Sequence, residues 1–354
     1  MFQLGNAHFR HPVIQAPMAG SQDSELALAV GHAGGLGSLP CAMLSLDKLE
    51  QELQALRGLE SYNLNFFCHD AAAAELTRNA EKLQHWQQLL QPFYEAWGIA
   101  PPDPMTPASR QPYSAAQAEL LAAYRPPVVS FHFGLPKAAL LRQIKSWGSA
   151  VISTACTVDE AVHLQSAGAD AIILQGLEAG EHRGHFLRSD LAGQMPTLKL
   201  LEACRDRISL PLIAAGGLST APAVRLAIAS GANAVQAGTA YLLCPEAKTA
   251  AVHRRAITSA VDASSAEATQ LTNLFSGRPA RGLSNRLMQT LGALRDDLPA
   301  FPLCSGLLAP LSAVAEAQNS DDFSPLWAGT SLRDCRAASA AEVTQQLVSE
   351  TFEG

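Results

Sequence analysis

Eight short apolar runs, separated by helix-length amphipathic stretches, leave this chain few folds to adopt. The runs are Val13–Ala16, Leu36–Leu39, Asn63–Phe67, Val128–Phe131, Ala150–Thr154, Ala171–Leu174, Leu212–Ala215 and Ala234–Ala237. Between most of them lie Ala/Leu/Glu-rich segments such as Ser24–His32, Leu46–Leu56, Lys137–Lys145, Val158–Ser166 and Ala221–Ala229. Short runs that stay apolar without alternating match strands buried on both faces, the state of a parallel sheet. Eight strand–helix units in one chain predict an α/β fold, a closed (β/α)8 TIM barrel, rather than an open doubly wound sheet. Such a barrel takes about 250 residues, so a chain of 354 has about 100 left for additions.

Those additions can be placed. Ala71–Ala123 is too long for one barrel helix and includes the Pro-rich APPDPMTPASRQP (Ala100–Pro112). It predicts a helical insertion with an extended link, near the barrel mouth because it follows strand three. The tail from about Ala268 carries GRPARGLSNRL, the apolar, Pro-bearing Leu298–Leu311 and a final helix, Ala338–Thr351. The expected organisation is a barrel over residues 1–267, with the insertion at about 71–123, and a C-terminal cap over 268–354 whose last helix returns to the barrel wall.

Composition removes several function classes. The chain is 48% hydrophobic and 16% charged, enough apolar content for a large core. A net charge of −7, with no Lys/Arg cluster, gives no electrostatic footprint for nucleic acid. No apolar run approaches the roughly 20 residues of a membrane span, and MFQLGNAHFRHP has no basic region followed by an apolar one, so a cytoplasmic location is expected. Seven dispersed cysteines with no C-x-x-C pair argue against an iron–sulfur site, a zinc ribbon or a disulfide framework. The adjacent Cys68 and His69 are read as packing residues, and no metal site is expected.

Chemistry concentrates in Ala169–Phe186, ADAIILQGLEAGEHRGHF, where a buried strand empties into a polar loop punctuated by Gly176, Gly180 and Gly184. Two further glycine turns, Ala215-Gly216-Gly217 and Ala237-Gly238-Thr239, follow strands seven and eight. Each precedes a helical stretch, so amides and helix N-termini are expected to converge on a phosphate there, with Thr239 adding a hydroxyl. The G-x-G-x-x-G dinucleotide fingerprint is absent around Gly34–Gly37.

G-x-E-A-G-x-H-R-G-x-F resembles the signature loop of the class I FMN-dependent nitronate monooxygenases, formerly called 2-nitropropane dioxygenases. The resemblance extends through QAPMAG (Gln15–Gly20), GGLGSLP (Gly34–Pro40), NLNFFCH (Asn63–His69), VSFHFGLP (Val129–Pro136), AAGGLST (Ala214–Thr220), QAGTAYL (Gln236–Leu242), GRPARG (Gly277–Gly282) and LWAG (Leu326–Gly329). It implies FMN as cofactor, held by Met18, Asn65, Gln175, Gly180, Gly216, Gly217, Gln236, Ala237, Gly238 and Thr239. The neutral amides among these suit a flavin pyrimidine edge, since they both donate and accept. It also implies His182 as the first catalytic candidate and His132, at the end of strand four, as the second. His185 is a candidate for orienting the loop.

The implied reaction is oxidation of an alkyl nitronate, of the propionate 3-nitronate kind, by O2 to a carbonyl compound and nitrite. The partners are then that small molecule and O2, with a homodimer as the candidate assembly. Rival readings are an FMN-dependent NAD(P)H enoyl-acyl-carrier-protein or quinone reductase on the same barrel, or an idle barrel that only binds a phosphate ligand. Arg183 and Glu178 are expected to hold the loop, and Arg278 and Arg281 to lie in a solvated loop. Glu181 stands where the resembled family usually has glycine, directly before the His. Its side chain is expected to point out of the pocket from an ordinary negative-φ backbone.

Overall fold

The computed structural model describes residues 1–70, 72–106, 110–263 and 268–349, with only the backbone for 72–74. Its centre is a sheet of eight parallel strands: β1 (Val13–Gln15), β2 (Ser38–Pro40), β3 (Asn63–Phe67), β4 (Val128–His132), β5 (Ala150–Ala155), β6 (Ala171–Gln175), β7 (Leu212–Ala215) and β8 (Ala234–Ala237). Neighbours run in sequence order from β2 to β8, and β8 pairs with β1. A parallel bridge between Ile14 and Leu36 closes the circle, with the Gln15 N–H donating to the Leu36 carbonyl at 2.9 Å. The expected (β/α)8 barrel is the fold found. Leu36 belongs to that bridge rather than to β2, which starts two residues later than the apolar run suggests.

Continuous apolar strands arise because both faces are buried. Ile14, Ile152, Ile173 and Ile213 point inward and fill the barrel, while Val13, Ile172, Leu174, Leu212 and Val235 pack outward against helices. The hairpin of Phe2–Leu4 and Ala7–Phe9 brings Leu4 and Phe9 into the same interior cluster, plugging the end opposite the site. Helices start where short side chains cap them. Thr157 accepts from the Glu160 N–H and Thr220 from the Ala223 N–H, which satisfies amides that would otherwise have no partner.

The segment between β3 and β4 holds helices Ala72–Arg78, Ala80–Ala96 and Ala115–Tyr124. Ala71 and part of the Pro-rich link, 107–109, lie outside the described residues. Helix Ala80–Ala96 packs on the tail helix Cys304–Ala317, and Trp86, Leu90 and Tyr94 share one apolar cluster with Leu307, Leu308 and Phe323. The Trp86 indole N–H donates to the Cys304 carbonyl at 3.3 Å, and the Tyr94 hydroxyl donates to the Leu307 carbonyl. Insertion and tail, read as separate additions from sequence, therefore make one small core. The last helix, Ala340–Val348, packs against Ser24–His32 and Ala221–Ala229 on the barrel wall. Its expected end at Thr351 falls outside the described residues.

Trp86 is fully buried in that shared core. Trp86→Ala should cost about 3–5 kcal/mol, read as a lower denaturant midpoint, with the loss felt first as proteolytic opening of the insertion and tail. A shift under about 1 kcal/mol would mean the two segments do not depend on each other.

Candidate active site

The loop after β6 is held from within by a fully buried cation. Arg183 is inaccessible to solvent; its Nη1 and Nη2 donate to the Gly176 and Gln175 carbonyls at 2.8 and 2.9 Å, and its Nε to the Gln194 Oε1 at 2.9 Å. Glu178 accepts from the Thr197 amide and hydroxyl, both at 2.8 Å, which fastens the loop to the next helix. Both residues thus hold the loop, as expected. Glu181–His182 forms a short strand that pairs antiparallel with Ala280–Leu283 of the tail, so His182 lies opposite Ala280 and Glu181 opposite Arg281.

That ladder corrects the reading of GRPARG as a solvated loop. Arg281 donates from Nε to the Leu177 carbonyl at 2.9 Å, and the Arg278 guanidinium lies 4.1 Å from the Phe133 ring centre while donating to the His185 carbonyl. Pairing with the His182 segment draws the tail into the barrel mouth, where these cations lose most of their water. Burial accordingly lowers Arg278 to about 10.

One cleft of about 1090 Å3, open solvent at its mouth included, lies at the carboxyl ends of the strands. Its lining includes every residue singled out above for the cofactor or for catalysis: Met18, Asn65, Gln175, Gly180, Gly216, Gly217, Gln236, Ala237, Gly238, Thr239, His132 and His182. Gly216 and Gly217 adopt φ of 115° and 74°, which a side chain rarely tolerates. The helix after β7 is already capped by Thr220, and β8 leads only into the three-residue 3-10 turn Thr239–Tyr241, so helix N-termini contribute less to the cleft than expected. A tail segment supplies the rest. Gly329 donates its amide to the Thr239 Oγ1 at 2.9 Å, and the Ser331 hydroxyl donates to the Gly217 carbonyl at 3.2 Å. A Cβ on Gly180 would stand 2.6 Å from the Ala328 carbonyl carbon, so only glycine admits this segment.

The amides are used unevenly. Gln175 is turned to the loop, accepting from the Gly184 N–H at 2.8 Å and donating to the His182 carbonyl at 2.8 Å. Asn65 donates to the Ser130 hydroxyl at 2.9 Å. The Gln236 Oε1, in contrast, is buried with no hydrogen-bond partner among the described residues.

Histidines gather beneath the cleft, with His69 packed on the same Phe67, Phe133 and Phe301 rings as His182. The His132 Nε2 can only donate to the His182 carbonyl, at 3.1 Å, which leaves Nδ1 to accept from the Thr154 hydroxyl at 3.1 Å. Both of its nitrogens are therefore committed to the protein. His182 is 2% exposed and pairs through Nε2 with the Ser276 Oγ at 2.8 Å. The Ser276 Oγ also lies 3.3 Å from the Arg278 carbonyl, and the His182 Nδ1 has no hydrogen-bond partner among the described residues. Phe301, Trp327, Phe133 and Phe67 ring this imidazole at centroid distances of 5.3 to 6.5 Å. Burial in that aromatic cage, then Arg110 and Arg278, holds His182 well below the usual imidazole range. Burial lowers His132 to about 3 and His185 to about 4. Among the described residues, no cluster of His, Cys, Asp or Glu could hold a metal ion.

Glu181 departs from expectation twice. Its φ is +61°, and its side chain lines the cleft, with Oε1 3.6 Å from the His182 Nδ1. The left-handed backbone costs about 1–2 kcal/mol for a residue other than glycine. It persists because the flanking contacts are fixed: the Arg183 amide donates to the Pro279 carbonyl at 2.8 Å, and the ladder sets Glu181 against Arg281. Sequence analysis also passed over Ser276 and Ser331. Ser276 sits in no motif, and Ser331 is a lone hydroxyl two residues beyond LWAG.

The result is a (β/α)8 barrel whose glycine turns and titratable loop share one cleft at the C-terminal mouth. A family model for nitronate monooxygenase matches residues 3–350. A nitronate monooxygenase of Pseudomonas aeruginosa is 36% identical over 349 residues, covering 96% of each chain. The solved nitroalkane oxidase from Streptomyces ansochromogenes superposes with a TM-score of 0.86 at 33% identity, over 98% of this chain and 96% of that one. FabK from Thermotoga maritima shares the fold, with a TM-score of 0.73 at 22% identity over 98% of this chain and 94% of its own. The chain belongs to the nitronate monooxygenase family and is an oxidoreductase. No helix among the described residues is long and apolar enough to cross a membrane.

The buried histidines make stability depend on acid. Each holds a proton less readily when folded than the 6.5 of an unfolded imidazole, so the unfolded chain binds more protons below that value. Their contribution is complete above about pH 6.5 and is lost as pH falls towards 4, at up to about 1.4 kcal/mol per pH unit for each. The denaturant midpoint should therefore drop steeply between pH 6.5 and 5, and His132→Asn should flatten that drop. An unchanged midpoint over this range would show that these imidazoles are not buried neutral.

Proposed function

We propose that this chain binds FMN and oxidises alkyl nitronates, of the propionate 3-nitronate kind, to carbonyl compounds and nitrite with O2. One observation carries the reading: the free-base imidazole of His182 lines the same cleft as the glycine turns after β7 and β8. The residues fit the cofactor. Gly216, Gly217, Gly238 and Thr239 would hold its phosphate, and the Thr239 hydroxyl, whose oxygen already accepts from Gly329, keeps a proton to give. The unpartnered Oε1 of Gln236 awaits a donor, as a flavin ring N–H supplies; Asn65, Gly180 and Met18 would line the ring.

When bound, the flavin supplies the electron transfer from substrate and on to O2. The chain does the rest. Phe67, Phe133, Phe301 and Trp327 keep water from the imidazole. Arg110 and Arg278 surround it with positive potential that favours an anionic substrate. Ser276 engages the ring at Nε2, so the open nitrogen at which a proton is taken or released is Nδ1. His132 acts through the His182 carbonyl, as a positioning residue.

His182→Asn should keep the flavin bound and lower nitrite formation by about 10²–10⁴, the usual contribution of a placed acid–base group. A loss below about threefold would remove His182 from the chemistry. Mass spectrometry of the released cofactor should show FMN; FAD as the main species would contradict the single-phosphate assignment.

A further inference from the structure

We propose that Glu181 is a specificity-determining residue, and that the cleft accepts an anionic substrate only when this carboxyl carries a proton. The substrate class rests on the nitronate reading above. The placement of the carboxyl stands on its own geometry.

The left-handed backbone at Glu181 turns its side chain into the cleft instead of out to solvent, leaving it 23% exposed. No hydrogen bond to its oxygens is found among the described residues, and the His182 Nδ1, at 3.6 Å, is beyond hydrogen-bond reach. The cations on the packed elements are mostly used elsewhere. Arg281, across the ladder, donates to the Leu177 and Thr269 carbonyls, and Arg278 lies over Phe133. Arg110, from the insertion, is the cation whose field reaches the carboxylate. His182, on the same loop, is neutral.

An ionised Glu181 would therefore repel an incoming anion directly, since no cation among the described residues pairs with its oxygens. Two like charges about 4 Å apart near a protein surface repel by a factor on the order of 10²–10³ in affinity. Protonation removes that repulsion and turns the carboxyl into a donor to the anion. The proton is within reach at neutral pH, because burial raises this carboxyl to about 7 against the opposing pull of Arg110. The same burial, with Arg110 and Arg278, keeps His182 from taking the proton instead.

The test is calorimetric titration of the flavin-loaded enzyme with nitrate, a planar anion with oxygens on nitrogen that stays ionised and is not turned over. Measured in two buffers of different ionisation heat, the wild type should take up close to one proton per nitrate at pH 8. Its affinity should fall about tenfold from pH 6 to pH 8. Glu181→Gln and Glu181→Gly should both bind nitrate with no proton uptake and no such fall. The glycine variant suits the positive φ and guards against a folding defect in the other. Uptake that survives in both variants would place the proton on His182 and overturn the proposal. Nitrate binding that is flat with pH in the wild type, or absent at pH 6, would also overturn it. Because nitrate is not oxidised, this readout is independent of whether nitronates are the substrates.

Discussion

The guanidinium of Arg183 is the interaction on which the site depends. It lies fully inside the protein and spends its donors on two carbonyls at the end of β6 and on Gln194. Neither bonded partner on the strand is a carboxylate, so its charge is balanced by peptide dipoles. Removing it would take a charged donor from both buried carbonyls, of which Gly176 would keep the Ala179 amide at 3.1 Å. With it in place, the backbone from Gln175 to Gly184 has one course. That course puts Glu181 and His182 in register with the tail strand, and Gly180 under Ala328.

Charge around the cleft follows from this arrangement. Arg110, Arg183 and Arg278 approach the histidines from three different parts of the chain, while burial strips their water. The imidazoles respond by staying neutral, and the Glu181 carboxyl beside them is raised towards neutrality. A low-dielectric pocket with excess positive charge and neutral proton carriers is suited to an anion whose charge must be handled without solvent. The aromatic cage from Phe67, Phe133, Phe301 and Trp327 draws on β3, on the turn after β4 and on two parts of the tail, so the site exists only once barrel and tail are assembled.

Much of the barrel was legible in the sequence, because strands buried on both faces cannot alternate; Asn63–Phe67, Leu212–Ala215 and Ala234–Ala237 have the bounds expected. The glycine turns after β7 and β8 were legible for a local reason as well: Gly216 and Gly217 take dihedrals that other residues avoid. What stayed hidden depends on partners far along the chain. Glu181 was expected at negative φ, and Arg278 and Arg281 in solvent, since nothing local signals a ladder joining 181–182 to 280–281. Ser276, which holds the ring of a histidine 94 positions away, carries no motif at all. Local chemistry sets the candidates, and long-range pairing decides how each is used.

The most direct test of the account is anaerobic mixing of the flavin-loaded enzyme with an alkyl nitronate, and separately with NADH and NADPH, while the flavin spectrum is followed. Bleaching by the nitronate, with none by either pyridine nucleotide within the turnover time, is the result predicted. Rapid bleaching by NADH or NADPH with none by the nitronate would contradict it and make the cleft that of a reductase on the same barrel.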